Sequence, residues 1–291
     1  MDFANQVSTP ARPLTLRQIY YAAATAQLIP ATDKSYKRLK SVLTKARRSG
    51  AFPYEAMVDG LRAAQRTAKW DSLSDRAATA KFIHLDPWQD QLVIPEIVLE
   101  KDAILRLIED ECTAQDVTIR TFRGDPSLSF LYSTAKDYAA LLKASFWISV
   151  GYLGDHDPGG INICRSAERG VREILKDQFK VDLEDEQYRR AFKWVRLGVN
   201  FSDFDNFGLL PIPTKDGSDG KRPDTKLKAY MEEFDVDWGC ELDALPLDEI
   251  VKRTHDHIEE AKNQERWEET KIRHAEEESR WQEMLENIDA A

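Results

Sequence analysis

The apolar side chains near the start of the chain recur every three or four residues, and this spacing predicts two consecutive helices. The first is expected to begin near Leu16, because the hydroxyl of Thr15 can cap its first turn. The second is expected over residues 33–49, with Gly50 as its stop. Its apolar face comprises Tyr36, Leu39, Val42, Leu43 and Ala46. Residues 54–68 predict a further short helix or a wing.

From about residue 81 the pattern changes, and short apolar runs rich in β-branched residues alternate with amphipathic segments. The predicted strands cover residues 91–99, 116–122, 146–153 and 192–199. The predicted helices between them cover residues 102–111, 128–143 and 161–178. Strands that alternate with helices in this way are typical of an α/β unit with a parallel sheet. The predicted fold class is therefore mixed α/β.

The last part of the chain has no strand pattern. Residues 211–225 are polar and rich in proline and glycine, which predicts a loop. Residues 248–289 predict one long and highly charged helix. Its apolar stripe is sparse and is interrupted by Glu265 and Ser279, which favours a solvated helix over a coiled-coil contact.

Composition limits the class of protein. Of the 291 residues, 42% are hydrophobic and 32% are charged, a balance that is typical of a folded globular chain. No apolar run approaches the ~20 residues of a membrane span, and we see no secretory signal. The three cysteines, Cys112, Cys164 and Cys240, are too widely spaced for a disulfide framework or a zinc pattern. We therefore expect a cytoplasmic protein with no membrane partner.

The net charge of −10 argues against nucleic acid as a partner, but the charge is unevenly distributed. Residues 1–80 hold 13 basic and 6 acidic residues, a balance of +7. Residues 241–291 hold 7 basic and 16 acidic residues, a balance of −9. A basic second helix suits a winged-helix or helix-turn-helix module, although a solvated basic helix would show the same pattern. Its basic residues include Lys34, Lys37, Arg38, Lys45, Arg47 and Arg48.

Carboxylates follow two of the predicted strands. Asp155 and Asp157 lie in a glycine-rich turn after the strand that ends at residue 153, and Glu100 follows the strand that ends at residue 99. The carboxyl ends of parallel strands are where ligands bind in open sheets. Magnesium prefers a few carboxylates together with water and phosphate oxygens, so these residues suit a phosphodiester site. The alternatives are that Asp155 and Asp157 cap the loop, and that Glu100 favours the next helix through its dipole.

Arg17, Tyr20 and Tyr21 lie together on the first predicted helix. A phenol is a poor nucleophile at its ordinary pKa of ~10. A cation such as Arg17 would favour the phenolate and could also hold a phosphate. The alternative, which is favoured when the tyrosines are considered alone, is that both pack in the core.

Taken together and in this order, these motifs resemble those of the topoisomerase VI A subunit and the meiotic double-strand-break transesterase. The family's tyrosine motif matches residues 17–21, Arg-Gln-Ile-Tyr-Tyr. Its strand glutamate matches Glu100, and its aspartate motif matches residues 155–159, Asp-His-Asp-Pro-Gly. Residues 123–127 look like the family's glycine-proline element, and residues 241–245 resemble the segment that closes its core.

The resemblance covers roughly residues 13–250 and implies a domain order. It implies a winged-helix DNA-binding domain over residues 1–80 and a Toprim metal-binding domain over residues 81–247. The acidic C-terminal helix, residues 248–291, would follow. His156 and Gly160 are variations within the aspartate motif.

The resemblance also implies a reaction on double-stranded DNA. Tyr21, with Tyr20 as the alternative, would attack a phosphodiester and form a 5′-phosphotyrosyl link, while Arg17 stabilises the phosphate. Asp155 and Asp157 would bind Mg²⁺, and Glu100 would bind it or transfer protons. The residues implied in DNA binding are Lys34, Lys37, Arg38, Lys45, Arg47, Arg48 and Arg123.

In this family the tyrosine and the metal site come from different protomers, so the resemblance implies a homodimer associated with the nucleoid. The chain is shorter than a typical A subunit, and it has no phosphate loop of its own, so any use of ATP would require a separate B-type ATPase subunit. A Toprim nuclease that cleaves DNA by hydrolysis and a non-catalytic DNA-binding assembly protein remain as alternatives.

Overall fold

Three helices form the N-terminal part of the protein. The computed structural model describes residues 2–53, 56–57, 85–122, 124–214 and 225–289. The three helices are α1 (Asp2–Val7), α2 (Leu16–Thr25) and α3 (Asp33–Arg48). They enclose a small core that contains Leu14, Ile19, Leu43 and Phe52.

Helix α2 begins at Leu16, as predicted, and the ends of α3 lie within a residue of its predicted bounds. The side chains of Thr15 and Gln18 form a reciprocal capping box at the start of α2, which explains why the helix begins there. Of residues 54–68, for which a helix or wing is predicted, only 56–57 lie within the described residues.

A four-stranded parallel sheet lies at the centre of the chain, as predicted. Its strands are β1 (Val93–Leu99), β2 (Thr118–Thr121), β3 (Trp147–Leu153) and β4 (Phe192–Arg196), in the order β2-β1-β3-β4. The two central strands, β1 and β3, are in register along their full length, with Leu99 opposite Leu153. The residues that follow these two strands therefore emerge side by side.

Helices cover both faces of the sheet. A 3-10 turn (Asp102–Ile104) leads into α4 (Leu105–Ala114), and the following connections contain α5 (Leu128–Lys143) and α6 (Pro158–Phe179). Side chains of β1 alternate between the two cores. Val98 contacts the core formed with α5 and α6, whereas Ile97 and Leu99 contact the core formed with α4.

The C-terminal part of the chain begins with three short elements. They are α7 (Asp203–Phe207), the two-residue strand β5 (Ile212–Pro213) and α8 (Thr225–Phe234). Strand β6 (Trp238–Gly239) pairs antiparallel with β5, so the predicted loop at residues 211–225 begins with a short strand. A second 3-10 turn (Leu242–Ala244) precedes α9 (Leu247–Ala261) and α10 (Gln264–Asp289).

The prediction of one solvated helix over residues 248–289 is wrong in two respects. The helix is interrupted at residues 262–263, where the Asn263 side chain accepts a hydrogen bond from the Arg266 amide (3.0 Å) and so caps α10. Helix α9 is a core element, because Ile250 and Ile258 are fully buried beneath the sheet. Trp267 at the start of α10 packs against Trp88, with ring centroids 4.9 Å apart. No helix within the described ranges is long and apolar enough to cross a membrane.

Candidate active site

The structure brings Glu100 and Asp155 together at the carboxyl end of the sheet. Glu100 follows β1 and Asp155 follows β3, and both side chains are buried. A Glu100 carboxylate oxygen accepts hydrogen bonds from the Asp155 amide (3.2 Å) and from the Tyr152 hydroxyl (3.3 Å). Burial and the neighbouring Asp155 charge raise the pKa of Glu100 above the ordinary value of a glutamate. Glu100 is therefore a carboxyl group that can hold a proton near neutral pH.

Both carboxylate oxygens of Asp155 already have partners. One oxygen accepts a hydrogen bond from the Leu242 amide (2.9 Å), and the other forms an ion pair with the Lys101 ammonium. Arg196 donates to the Gly154 carbonyl (3.1 Å) and to the Asp155 carbonyl, which fixes the backbone of this loop. These roles of Lys101 and Arg196 are not predictable from the sequence.

Asp157 has the capping role that the sequence left open as an alternative. Its carboxylate accepts a hydrogen bond from the Gly160 amide (2.6 Å) and so caps α6, with Pro158 in the first turn. A side chain at position 160 would collide with the Asp155 backbone, so this turn requires glycine there. Across the part of the chain that the structure describes, no group of three or more His, Cys, Asp or Glu side chains is arranged to hold a metal ion.

The turn at residues 241–243 adds two further carboxylates. Asp243 is 6% exposed, and its Oδ1 atom is buried without a hydrogen-bond partner. Burial raises the pKa of Asp243 to about 6, although the Arg17 cation opposes this rise. The Oε2 atom of Glu241 is also buried, and its partner is the Arg17 guanidinium at 3.2 Å. The site therefore holds more anionic oxygen than its own donors satisfy.

This donor set fits magnesium by its chemistry. Mg²⁺ commonly takes only one or two protein carboxylates and fills its remaining positions with water and phosphate oxygens. The adjacent carboxylates of Glu100 and Asp155 meet that requirement, and the unsatisfied Asp243 oxygen lies near them, since the Asp155 charge adds to the rise in the Asp243 pKa. For a metal to bind, Lys101 would have to leave the Asp155 carboxylate.

Helix α2 places the tyrosine motif against the turn at residues 241–243. Arg17 forms an ion pair with Glu241 (3.2 Å) within one chain, so the predicted tyrosine helix and the turn that contacts Asp155 meet without a second protomer. Both tyrosines are buried, as in the alternative that places them in the core. The Tyr20 hydroxyl donates to the Thr32 carbonyl (3.3 Å), and the Tyr21 hydroxyl faces the Glu241 carboxylate.

Arg17 favours the phenolate form of Tyr21, as expected, but other groups outweigh its effect. Burial and the Glu241 carboxylate raise the pKa of Tyr21 well above 10, and the opposing effect of Arg17 is smaller. Tyr21 is therefore a neutral phenol in this structure. It becomes a nucleophile only if its proton is removed as it reacts.

His156, between the two aspartates, has a structural role. Its Nδ1 atom is 2.8 Å from the Tyr230 hydroxyl, and its ring meets the Phe234 ring at 4.7 Å. Burial and the Arg196 cation lower the pKa of His156 to about 4, so the ring is neutral at physiological pH. Its backbone amide also donates to the Cys240 carbonyl (2.9 Å). His156 thus joins the aspartate loop to the turn at residues 241–243.

A cleft of about 290 Å³ opens beside these groups. The start of α6, with Asp157 and Gly159, forms one wall, and β5 with Thr214 forms another. Cys240 and Glu241 complete the lining. The cleft is therefore bordered by both the aspartate loop and the residue that contacts Arg17 and Tyr21.

The basic residues predicted to bind DNA lie mainly along α3. Lys34, Lys37, Arg38 and Lys45 are exposed, and Arg47 is half-buried. The Arg48 side chain and Arg123 lie outside the described residues. Within the described ranges no ion pair involves the four exposed residues. Comparison with known proteins adds no assignment, because no family model, curated protein or solved structure matches the chain.

Proposed function

We propose that this chain is a magnesium-dependent DNA-cleaving transesterase with Tyr21 as its nucleophile. The observation that supports this proposal is the meeting of two motifs from distant parts of the chain. Arg17 and Tyr21 contact Glu241, and the next residue, Leu242, donates its amide hydrogen to Asp155. A phenol, a guanidinium and a carboxylate group at the end of a parallel sheet are the components that phosphodiester cleavage requires.

The proposed chemistry forms one bond and breaks one. The Tyr21 oxygen attacks the phosphorus atom, the bond from phosphorus to the 3′ oxygen breaks, and the DNA 5′ end stays linked to Tyr21. Glu241, which faces the Tyr21 hydroxyl, accepts the phenol proton. Glu100 holds a proton because of its raised pKa and donates it to the leaving 3′ oxygen.

Asp155 and Asp157 would hold magnesium, which when bound would offset the negative charge of the phosphate. For Asp157 this requires that it give up its hydrogen bond with the Gly160 amide. Glu100 would be a third ligand only in its ionised form, in which it is not the proton donor. The exposed basic residues of α3 would follow the DNA backbone, giving salt-sensitive binding with little sequence preference. On this proposal the chain acts on double-stranded DNA with a site assembled within one protomer, and any ATP-driven step belongs to a separate subunit.

The test is cleavage of supercoiled plasmid in magnesium, followed by detection of protein attached to 5′ DNA ends. Tyr21→Phe is expected to abolish both cleavage and the covalent product. Tyr20→Phe is the matched control, because Tyr20 is also buried on α2 but its hydroxyl bonds the Thr32 carbonyl. Cleavage that survives both substitutions would exclude the tyrosine mechanism.

The burial of Tyr21 and its raised pKa favour one other function, a nuclease that hydrolyses DNA through a metal-bound water. That function predicts free 5′-phosphates, no covalent product and full activity of Tyr21→Phe. Asp155→Ala and Asp157→Ala would abolish cleavage under either mechanism. The covalent product therefore distinguishes the two.

A further inference from the structure

Glu241 occupies the position that a DNA phosphate would need. Its carboxylate pairs with the Arg17 guanidinium at 3.2 Å and faces the Tyr21 hydroxyl. In the proposed reaction these two groups would contact the phosphate that is attacked. Glu241 also borders the cleft beside Asp157, so its side chain lies between the tyrosine and the aspartate loop.

A carboxylate and a phosphate are interchangeable partners for arginine. Both offer two oxygens to the planar guanidinium in the same geometry and with a negative charge. We propose that Glu241 is an internal substitute for the substrate phosphate, which occupies Arg17 until a DNA phosphate displaces it from the guanidinium and leaves it beside Tyr21 as the proton acceptor. This inference rests on the proposed function, and it adds a means of keeping the site closed without DNA.

Lys101 has the complementary position at the other end of the site. Its ammonium group pairs with Asp155, one of the carboxylates proposed to hold magnesium. The site without ligands thus contains an internal anion where the phosphate would bind and an internal cation where the metal would bind. Arg17, which the phosphate would use, and Asp155, which the metal would use, are thus each neutralised by a neighbour from the same chain.

The pair of Arg17 and Glu241 is suited to exchange. Their side chains are 43% and 28% exposed, so water reaches both groups. Ion pairs in such positions contribute little net stability, because solvent screens the attraction and competes for both partners. The Oε2 atom of Glu241 that contacts Arg17 is itself buried, so a DNA phosphate brought near by the basic residues of α3 would replace this contact with its own bonds to the guanidinium.

The test measures DNA affinity rather than cleavage. The full chain is titrated into a fluorescent 20-base-pair duplex in EDTA, and fluorescence anisotropy gives the dissociation constant. Glu241→Gln keeps the size of the side chain and removes its charge, and it is expected to tighten binding about tenfold. Glu265→Gln removes one negative charge from an exposed position on α10, and it is expected to change affinity less than twofold.

A double-mutant cycle shows whether the effect acts through Arg17. Arg17→Ala is expected to weaken binding, and adding Glu241→Gln to Arg17→Ala is expected to restore little affinity, because no masked guanidinium remains. Equal affinities of wild type and Glu241→Gln, or a gain that persists fully without Arg17, would overturn the inference.

The experiments can support the role of Glu241 while refuting the transesterase, or the reverse. Tighter binding by Glu241→Gln, in a protein whose wild type forms no covalent DNA product, would support the inference and refute the transesterase. An unchanged affinity in a protein that does form the product would do the reverse. If neither form binds the duplex, both are wrong.

Discussion

Replacing Lys101 with methionine tests whether this lysine occupies the place of a metal ion. Its ammonium group is the cationic partner of the Asp155 carboxylate, which is almost completely buried. Methionine keeps the apolar stem of the side chain and removes the charge. Asp155 then retains the Leu242 amide as its hydrogen-bond donor but has lost its ion pair. We expect the variant to be destabilised without metal and to recover when magnesium is added.

The expected loss in the free energy of unfolding follows from the burial of Lys101 and Asp155. Removing one member of a fully buried ion pair costs about 3–5 kcal/mol. The Lys101 side chain is 35% exposed, so solvent reduces this cost, and we expect about 2 kcal/mol. In a domain of this size that loss lowers the melting temperature by about 4–8 °C. Magnesium at 100 times its dissociation constant would raise the free energy of unfolding by about 2.7 kcal/mol.

Thermal unfolding in EDTA and in magnesium, followed by circular dichroism, measures both effects. Lys193→Met is the matched control, because Lys193 pairs with Glu260 at 3.7 Å on the exposed surface. Its substitution should change stability by less than about 0.5 kcal/mol in either buffer. If magnesium stabilises wild type and Lys101→Met equally, Lys101 does not compete with the metal, and the reasoning fails.

Four further predictions concern a buried carboxylate of the site, the glycine in the aspartate loop, the cap of α2 and the basic helix α3. Asp243→Asn should raise the melting temperature above pH 6 and have little effect at pH 4, because the raised pKa of Asp243 makes its ionisation destabilising, an effect that grows from pH 3.8 to about 6 and is complete above that; an equal effect at both pH values would contradict this. Gly160→Ala should lower the melting temperature clearly more than Gly50→Ala, which meets no neighbouring atoms although its positive φ adds some strain. Thr15→Ala should cost about 1 kcal/mol in urea unfolding by removing the α2 cap, whereas Thr44→Ala on α3 should cost less. Lys37→Gln should weaken DNA binding and reduce its salt dependence by about one counterion, whereas Glu265→Gln should leave that dependence unchanged.

The sheet is predictable from the sequence because the pattern that indicates each strand lies within a few consecutive residues. The β-branched runs at residues 91–99 and 146–153 are buried on both faces in any parallel sheet, so their apolar pattern predicts strands directly. The adjacency of Glu100 and Asp155 then follows from the parallel arrangement. The position of α9 is not predictable in the same way, because one charged face and one apolar face occur both in solvated helices and in helices that cover a sheet. Its burial depends on the sheet beneath it.

Electrostatic properties of the site depend on contacts between distant parts of the chain. The motif at residues 17–21 predicts a cation beside a tyrosine, and on that basis a lowered phenol pKa. In the fold Glu241 adds its charge and the core removes water, so the pKa of Tyr21 rises. Similarly, the sequence identifies Lys101 only as a residue after a strand, whereas the structure shows it as the partner of Asp155.

On the proposed function, the exchange of these internal pairs would let an acidic site accept DNA. A phosphate that enters beside Glu241, Asp243 and Asp155 would be repelled by each carboxylate, since all three lie near the same turn. If the phosphate instead takes the place of Glu241 on Arg17, one negative charge replaces another and the balance around Arg17 is unchanged. If magnesium takes the place of Lys101 on Asp155, one unit of positive charge is gained close to the incoming phosphate. Magnesium should therefore tighten DNA binding in wild type, and the gain should be smaller in Asp155→Asn, as anisotropy with and without EDTA would show.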